Sequence, residues 1–327
     1  MQTLFSEPKR RNVLGDGLGM VMRNKRYIVW FWLLNLVLAW FGTSSFRQSA
    51  HAVLDHSLYS EKLVHGFDLA VMIDLYVRPE FGFMAASTTP AVLLALVFFL
   101  LTALLIPGVF AGYASTYRFP REDFFRACGR NLWRFIRLMI IAGIIMGIIA
   151  GLLFAANGAI VAKAGESANE VLPFTLRMIN LFLIFLVMTA LRIWFDLAEA
   201  DVVLNDQRAV RKSLAFAFRH AFGSLPRLLG SYLAAALVAA ILLVGGLWCW
   251  MRFVPATGIG RAFLLSQLIV LLLLIPRFWQ RGVAVSYWQQ MMLAPVVAVE
   301  PVAPPPVPIF PEPAPVGPVP VTPASGI

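Results

Sequence analysis

Residues 228–250 read Leu-Leu-Gly-Ser-Tyr-Leu-Ala-Ala-Ala-Leu-Val-Ala-Ala-Ile-Leu-Leu-Val-Gly-Gly-Leu-Trp-Cys-Trp, an apolar run that contains no charged side chain. A helix rises about 1.5 Å per residue, so this run is long enough to cross the roughly 30 Å of hydrocarbon in a bilayer. Residues 91–111 form a second run of the same kind. The two runs predict helices that span a membrane.

Four further apolar segments accompany these two along the chain. We therefore predict an all-α, polytopic membrane helix bundle with six transmembrane helices. The predicted spans are Tyr27–Phe41, Pro90–Tyr113, Leu138–Ala156, Met178–Ala198, Leu228–Trp250 and Ala262–Trp279. Thr89 and Pro90 are a favourable N-cap and first-turn pair for the second span. Pro276 is expected to kink or thin the last span because proline removes an intrahelical hydrogen bond.

Composition and charge place the chain in a membrane with a defined orientation. Of its 327 residues, 60% are hydrophobic and 13% are charged, and the net charge is +10. Twenty of the 27 lysines and arginines lie before the first span, at or after the end of the last, or in and at the edges of the second-to-third and fourth-to-fifth connections. Because cytoplasmic connections are enriched in Lys and Arg, both termini are predicted to be cytoplasmic. Topology and anionic lipid therefore account for the positive charge, and nucleic-acid binding is not expected.

A basic, amphipathic segment precedes each odd-numbered span, and we predict three cytoplasmic interfacial amphipathic helices. The segments begin near Asp16, Pro120 and Asp206, where the two aspartates suit N-caps. The apolar face predicted for the third helix comprises Val210, Leu214, Phe216 (or Ala217) and Phe218. Such helices lie in the membrane interface with their cations toward lipid phosphates. The predicted ligands of anionic head groups are Arg126, Arg130, Arg134, Arg211, Lys212 and Arg219.

The chain divides into three parts by composition. Residues 1–26 form a basic cytoplasmic segment, and residues 27–293 form the membrane domain, whose largest outer segment is 42–89. Residues 294–327 hold 12 of the 21 prolines and only two charged residues. Such a tail cannot build a core, so we predict a disordered cytoplasmic extension. Its repeated Pro-x-x-Pro could dock into an aromatic groove, although no basic residue flanks it.

The stretch from Trp194 to Tyr232 carries a family resemblance. A span leads into an acidic segment, then into the Ala-x-Arg-Lys-Ser helix at 209–213, then into another span. This arrangement resembles bacterial six-helix membrane proteins, including the membrane domain attached to glycerophosphodiester phosphodiesterases. The chain contains no phosphodiesterase domain, and its four histidines do not form that enzyme's His-Arg-Gly start. The resemblance therefore implies a fold and a place in the bacterial inner membrane, without phosphodiesterase activity.

Small residues at helical spacing are the candidates for helix packing. Gly143, Gly147 and Gly151 form a GxxxGxxxG motif in the third span, and Ser231, Ala235 and Ala239 repeat the spacing in the fifth. Small side chains at this spacing let another helix approach closely in lipid. That helix could belong to the same bundle, which we favour, or to a second copy in a dimer.

Arg192 and Asp196 stand one turn apart at the cytoplasmic end of the fourth span. Ionisable groups near a span are costly and often functional. An intramolecular ion pair is the preferred interpretation, and a ligand or proton site is the alternative. Cys128 and Cys249 are predicted to be free thiols, since a membrane thickness separates them.

The function predicted from these features is that of a non-enzymatic structural or accessory protein, which binds anionic phospholipid and an unidentified protein partner. No cofactor, metal or catalytic residue is predicted, because no nucleophile elbow, Walker loop, Rossmann fingerprint or zinc pair is present. A transporter or channel is one alternative, with a polar path lined by Asn35, Asn180 and Gln267. A membrane lipid enzyme is another, and its only visible chemistry is the outer group of His51, Asp55, His56, Glu61 and His65.

Overall fold

The structure, a computed structural model, describes residues 12–42, 61, 70, 73, 83–115, 119–166, 171–254 and 259–292. Within these ranges the chain forms helices and no strand. The helices are α1 (Val13–Arg23), α2 (Arg26–Gly42), α3 (Phe83–Ala114), α4 (Arg121–Ala164), α5 (Val171–Leu204), α6 (Val210–Gly223), α7 (Leu225–Phe253) and α8 (Ile259–Met292).

Five of these helices, α3, α4, α5, α7 and α8, are long and apolar enough to cross a membrane. Helix α2 is also apolar but has only 17 residues. The chain is therefore an all-helical integral membrane protein. The proline-rich tail and most of the predicted outer segment fall outside the described residues.

Buried side chains gather at one end of the bundle, which we call the packed end. One cluster joins Tyr27 and Phe31 near the start of α2 to Phe110 near the end of α3, Phe124 near the start of α4 and Phe278 in the second half of α8. A second cluster joins the later part of α5, the start of α7, α6 and α8. Since starts and ends of successive long helices meet here, those helices run in alternating directions.

The second predicted amphipathic segment does not form a separate helix. It continues without a break into α4, whose 44 residues extend about 66 Å. The first and third segments do separate from the spans that follow them. Buried Asn24 caps α1, with its backbone N–H and side chain both donating to Met20 O. Pro226 opens α7 and lacks the N–H that would continue α6. No comparable stop interrupts 121–138.

One predicted helix start was wrong, and the last helix is longer than the span predicted within it. Helix α3 begins at Phe83, so Pro90 lies inside it and Thr89 is not its N-cap. Helix α8 continues through Pro276 to Met292, well beyond the predicted end of the sixth span at Trp279. Hydropathy marks where lipid contact ends, and a helix continues past that point when protein covers its polar residues.

Helix α1 covers the extension of α8 through a close backbone crossing. A Cβ atom at Gly282 would lie 2.5 Å from Gly17 O, and one at Gly17 would lie 2.7 Å from the backbone nitrogen of Val283. Trp279 Nε1 also donates a hydrogen bond to Leu14 O at 2.8 Å. Helix α1 therefore packs against protein and is not held by the lipid interface alone.

Candidate functional site at the packed end

A polar cluster is buried where α5, α7 and α8 meet. Arg192 Nε lies 3.7 Å from Asp196 Oδ2, which is the predicted pair. The same carboxylate oxygen accepts a 2.8 Å hydrogen bond from Tyr232 OH, and both side chains are buried. Gln280 Nε2 in turn donates to Tyr232 O at 3.4 Å. The carboxylate thus has a cation and a hydroxyl as partners, as a buried charge requires.

Three more charged side chains extend this cluster toward α8. Glu199, one turn after Asp196, lies within electrostatic reach of Asp196, Arg192, Arg277 and Arg281. Its Oε2 atom is buried and has no hydrogen-bond partner among the described residues. Arg277 and Arg281 stand one turn apart on α8, and Arg281 is only 8% exposed. Three guanidinium groups therefore face two carboxylates.

A cavity of about 120 Å³ opens beside the two arginines, between α2, α3 and α8. Its polar lining consists of Asn35, Thr102, Arg277 and Arg281, and phenylalanines supply much of the remaining wall. The guanidinium carbon of Arg281 lies 5.5 Å from the ring centroid of Phe278, which restrains its orientation. Arg281 Nε and Thr102 Oγ1 are buried and have no hydrogen-bond partner in the described part of the chain.

Of the three amides in the predicted transport path, Asn35 lines this cavity, and Asn180 and Gln267 do not. The outer His/carboxylate group lies outside the described residues except for Glu61. Across the described ranges, no three His, Cys, Asp or Glu side chains are close enough to hold a metal ion. Cys128 and Cys249 are free thiols, as expected.

The loop between α5 and α6 binds α4 through a second set of charges. Asp206 forms ion pairs with Arg130 and with Arg134, whose Nη1 lies 2.6 Å from Asp206 Oδ1. These two hydrogen bonds hold the pKa of Asp206 below its usual value. Asp206 was expected to cap the following helix, but Ala209 occupies that position and makes no side-chain bond. The residue has a φ of 50°, a left-handed conformation that Asp tolerates better than most residues.

Near this loop, the remaining arginine predicted on α4 lines a second cavity, of about 240 Å³. Arg126 borders it together with Arg130, Asn131 and Asp206. Arg126 also pairs with Asp123 at 3.2 Å on the exposed surface. The three predicted head-group arginines of α4 are therefore each paired with a carboxylate of the same chain.

The side chains of α6 that turn inward differ in part from the apolar face predicted for this helix. The buried residues are small, namely Val210, Ser213, Ala217 and Ala221. They allow α6 to lie close to α5, where Trp194 Nε1 donates to Leu214 O at 2.9 Å. The large aromatic residues Phe218 and Phe222 instead remain 49% and 41% exposed.

The outward surface of α6 combines these aromatic rings with cations. Arg211, Lys212 and Arg219, the predicted head-group ligands, are all exposed. On a helical wheel with 100° per residue, Arg211 lies between Phe218 and Phe222. Arg219 and Lys212 lie next to this group, beyond Phe222. Rings beside cations on one exposed helix surface are typical of helices that bind at a membrane interface.

The predicted packing motifs lie in different surroundings. A Cβ atom on Gly143, Gly147 or Gly151 would find no atom within 4 Å, so the motif contacts no other helix of the described chain. In α7, Ala235 is fully buried, while Ser231 and Ala239 are partly exposed. Ser231 bonds back to Arg227 O within its own helix.

Several residues of the site were not singled out from the sequence. From the sequence, Arg277 and Arg281 counted only as basic residues at the end of the last predicted span, because the extension of α8 was not predicted. Their spacing, with Gln280 between them, is the signal that could have indicated a polar helix face. No pattern in the sequence indicated that Tyr232 and Thr102 belong to the site. No protein-family model, curated protein or solved structure matches the chain.

Proposed function

We propose that the chain is a six-span, non-enzymatic protein of the bacterial inner membrane, with both termini in the cytoplasm. Its packed end binds anionic phospholipid head groups, and it serves as a structural or accessory subunit for an unidentified protein partner. The observation that carries this proposal is the outward surface of α6, where Phe218 and Phe222 stand exposed beside Arg211, Lys212 and Arg219.

Physical chemistry favours lipid as the ligand of this surface. Exposed phenylalanine rings are unfavourable in water. Moving their apolar surface into the acyl layer stabilises the bound state by about 25 cal/mol per Å². Cations beside them gain roughly 1 kcal/mol each near an anionic leaflet. The ion pairs of Asp206 with Arg130 and Arg134 support this role indirectly, because they connect α4 to the start of α6.

Thermal unfolding of the purified full-length chain in mixed micelles tests the lipid proposal. We expect phosphatidylglycerol to raise the melting temperature more than phosphatidylcholine does. The triple variant R211A/K212A/R219A should lose most of that difference. The matched control K163A/R177A/R252A removes three exposed charges near the opposite helix ends and should keep it. Equal loss in both triple variants would contradict a site on α6.

Accessibility labelling tests the proposed orientation. In intact cells, a membrane-impermeant thiol reagent should label a cysteine at Lys163 and should not reach one at Lys212. Labelling both positions from the same side would contradict the topology.

A transporter or channel is the second candidate, because Asn35 lines a cavity that also contains two arginines. It predicts flux of a small solute through proteoliposomes that falls in an Asn35→Leu variant and survives Asn180→Leu. Absence of flux for a panel of small anions would leave the accessory role as the better account.

A further inference from the structure

We propose that the cavity between α2, α3 and α8 is a binding site for one phosphate group, held by Arg281, Arg277, Thr102 and Asn35. The group could belong to free inorganic phosphate or to a phospholipid head group, which present the same oxygens to the protein. This site is separate from the exposed surface of α6 and does not depend on the lipid binding proposed there.

Charge balance is the first support for an anion. Arg192, Arg277 and Arg281 all lie within electrostatic reach of Glu199, and Arg192 and Arg277 also act on Asp196. Asp196 is already held by Arg192 and Tyr232. The guanidinium groups therefore outnumber these carboxylates by three to two, and among the three Arg281 is buried, whereas Arg277 is exposed. An unneutralised buried charge is costly, and a bound anion would remove that cost.

Unused hydrogen-bond donors are the second support. Arg281 is 8% exposed and Thr102 is 7% exposed, yet Arg281 Nε and Thr102 Oγ1 have no partner within the described residues. Neither Arg277 nor Arg281 has a carboxylate oxygen within 4.0 Å in that part of the chain. Buried polar groups are normally hydrogen-bonded, so donors that line one cavity without partners indicate a missing acceptor.

The chemistry and size of the cavity favour phosphate. Guanidinium groups offer paired N–H donors that match phosphate oxygens, and a hydroxyl and an amide add further donors around a tetrahedral group. One water molecule needs roughly 10–15 Å³, so about 120 Å³ leaves room for a larger anion. The contact between Arg281 and Phe278 holds the guanidinium in place before the anion binds.

The experiment uses the full-length chain in phosphate-free, non-ionic detergent. One arm measures the melting temperature against sodium phosphate, with sodium chloride at equal ionic strength as the reference. The other arm measures retained phospholipid by native mass spectrometry. We expect either saturable stabilisation by phosphate or one retained phospholipid, and the arm that responds identifies the source.

Two variants locate the site within the bundle. R281K keeps the charge but removes the planar pair of donors, and T102V removes one hydroxyl with little change in volume. Each should weaken phosphate binding about tenfold or more, or lose the retained lipid. T189V is the matched control, because Thr189 is equally buried and its hydroxyl already bonds to Phe185 O. R252A removes one exposed cation that belongs to neither proposed site, and both controls should bind as the wild type does.

Two results would overturn the proposal. One is a wild-type chain that neither responds to phosphate nor retains a phospholipid. The other is equal binding by wild type, T102V and R281K. If R281K does not fold, the comparison of T102V with T189V decides between the outcomes. Loss of phosphatidylglycerol stabilisation in R211A/K212A/R219A tests the α6 surface alone, so the two proposals fail by different measurements.

Discussion

The two ends of the helix bundle are built from similarly apolar helices but differ in how they pack. At the packed end, large side chains such as Tyr27, Phe110 and Tyr232 are fully buried. At the other end, which we call the open end, only Asn157 and Ala164 are buried. The open end comprises residues 36–42, 92–97, 143–164, 171–183, 237–253 and 260–270.

This contrast shows that apolar surface alone does not bring helices together in a membrane. Lipid tails solvate Leu and Ile as well as another helix does, so close packing depends on shape and on polar partners. The packed end supplies both, in the Gly17–Gly282 crossing and in the hydrogen bond from Tyr232 to Asp196. The open end presents large aliphatic side chains outward.

Substitutions at the glycine crossing should have the largest effect on stability. We expect Gly282→Leu to lower the free energy of unfolding by about 3 kcal/mol or more, because the side chain would force two backbones apart. Unfolding by denaturing detergent, followed by tryptophan fluorescence, measures this change. Gly147→Leu at the open end is the control and should change little, since nothing lies within 4 Å of that position. Equal losses at both positions would remove the contrast between the ends.

A smaller substitution sharpens the same point within one helix. Gly17→Ala should destabilise the chain, whereas Gly19→Ala should be neutral or stabilising by up to about 1 kcal/mol, because alanine favours a helix. Both glycines lie in α1, and only Gly17 contacts α8. A destabilised Gly19→Ala variant would show that helix α1 makes contacts different from those described.

Two buried tyrosines allow the contribution of a hydrogen bond to stability to be measured apart from that of burial. Tyr232→Phe removes the hydrogen bond to Asp196 and should cost about 1.5–3 kcal/mol, the range for bonds to charged groups. Tyr113→Phe is the matched control: Tyr113 is as deeply buried, but its hydroxyl has no partner among the described residues. That variant should be neutral or stabilising in the same assay. A larger loss of stability in Tyr113→Phe would mean that the Tyr113 hydroxyl does have a hydrogen-bond partner.

The exposed ion pairs of Asp206 should have the smallest effect, and it should depend on pH. Their contribution is complete above the ordinary Asp pKa of about 4 and is lost as pH falls through the lowered pKa of the folded state. Asp206→Asn keeps the left-handed backbone but removes the charge. The free energies of unfolding of the wild type and this variant, measured from pH 7 to 3, should differ by less than about 1 kcal/mol. The difference should shrink as the pH falls below about 4, and a constant offset would exclude titration of Asp206 as the cause.

The amino-acid sequence was sufficient to predict an all-helical membrane protein, its long apolar segments and the pair Arg192–Asp196. Hydropathy and i, i+4 spacing are local properties, so they can be read along the chain. Helix packing in three dimensions sets which glycines meet, because GxxxGxxxG at 143–151 has the better motif and yet Gly17 and Gly282 make the contact. The same packing brings Arg277 and Arg281 into one cavity with Thr102, because residues far apart in sequence come together only when α3 and α8 pack.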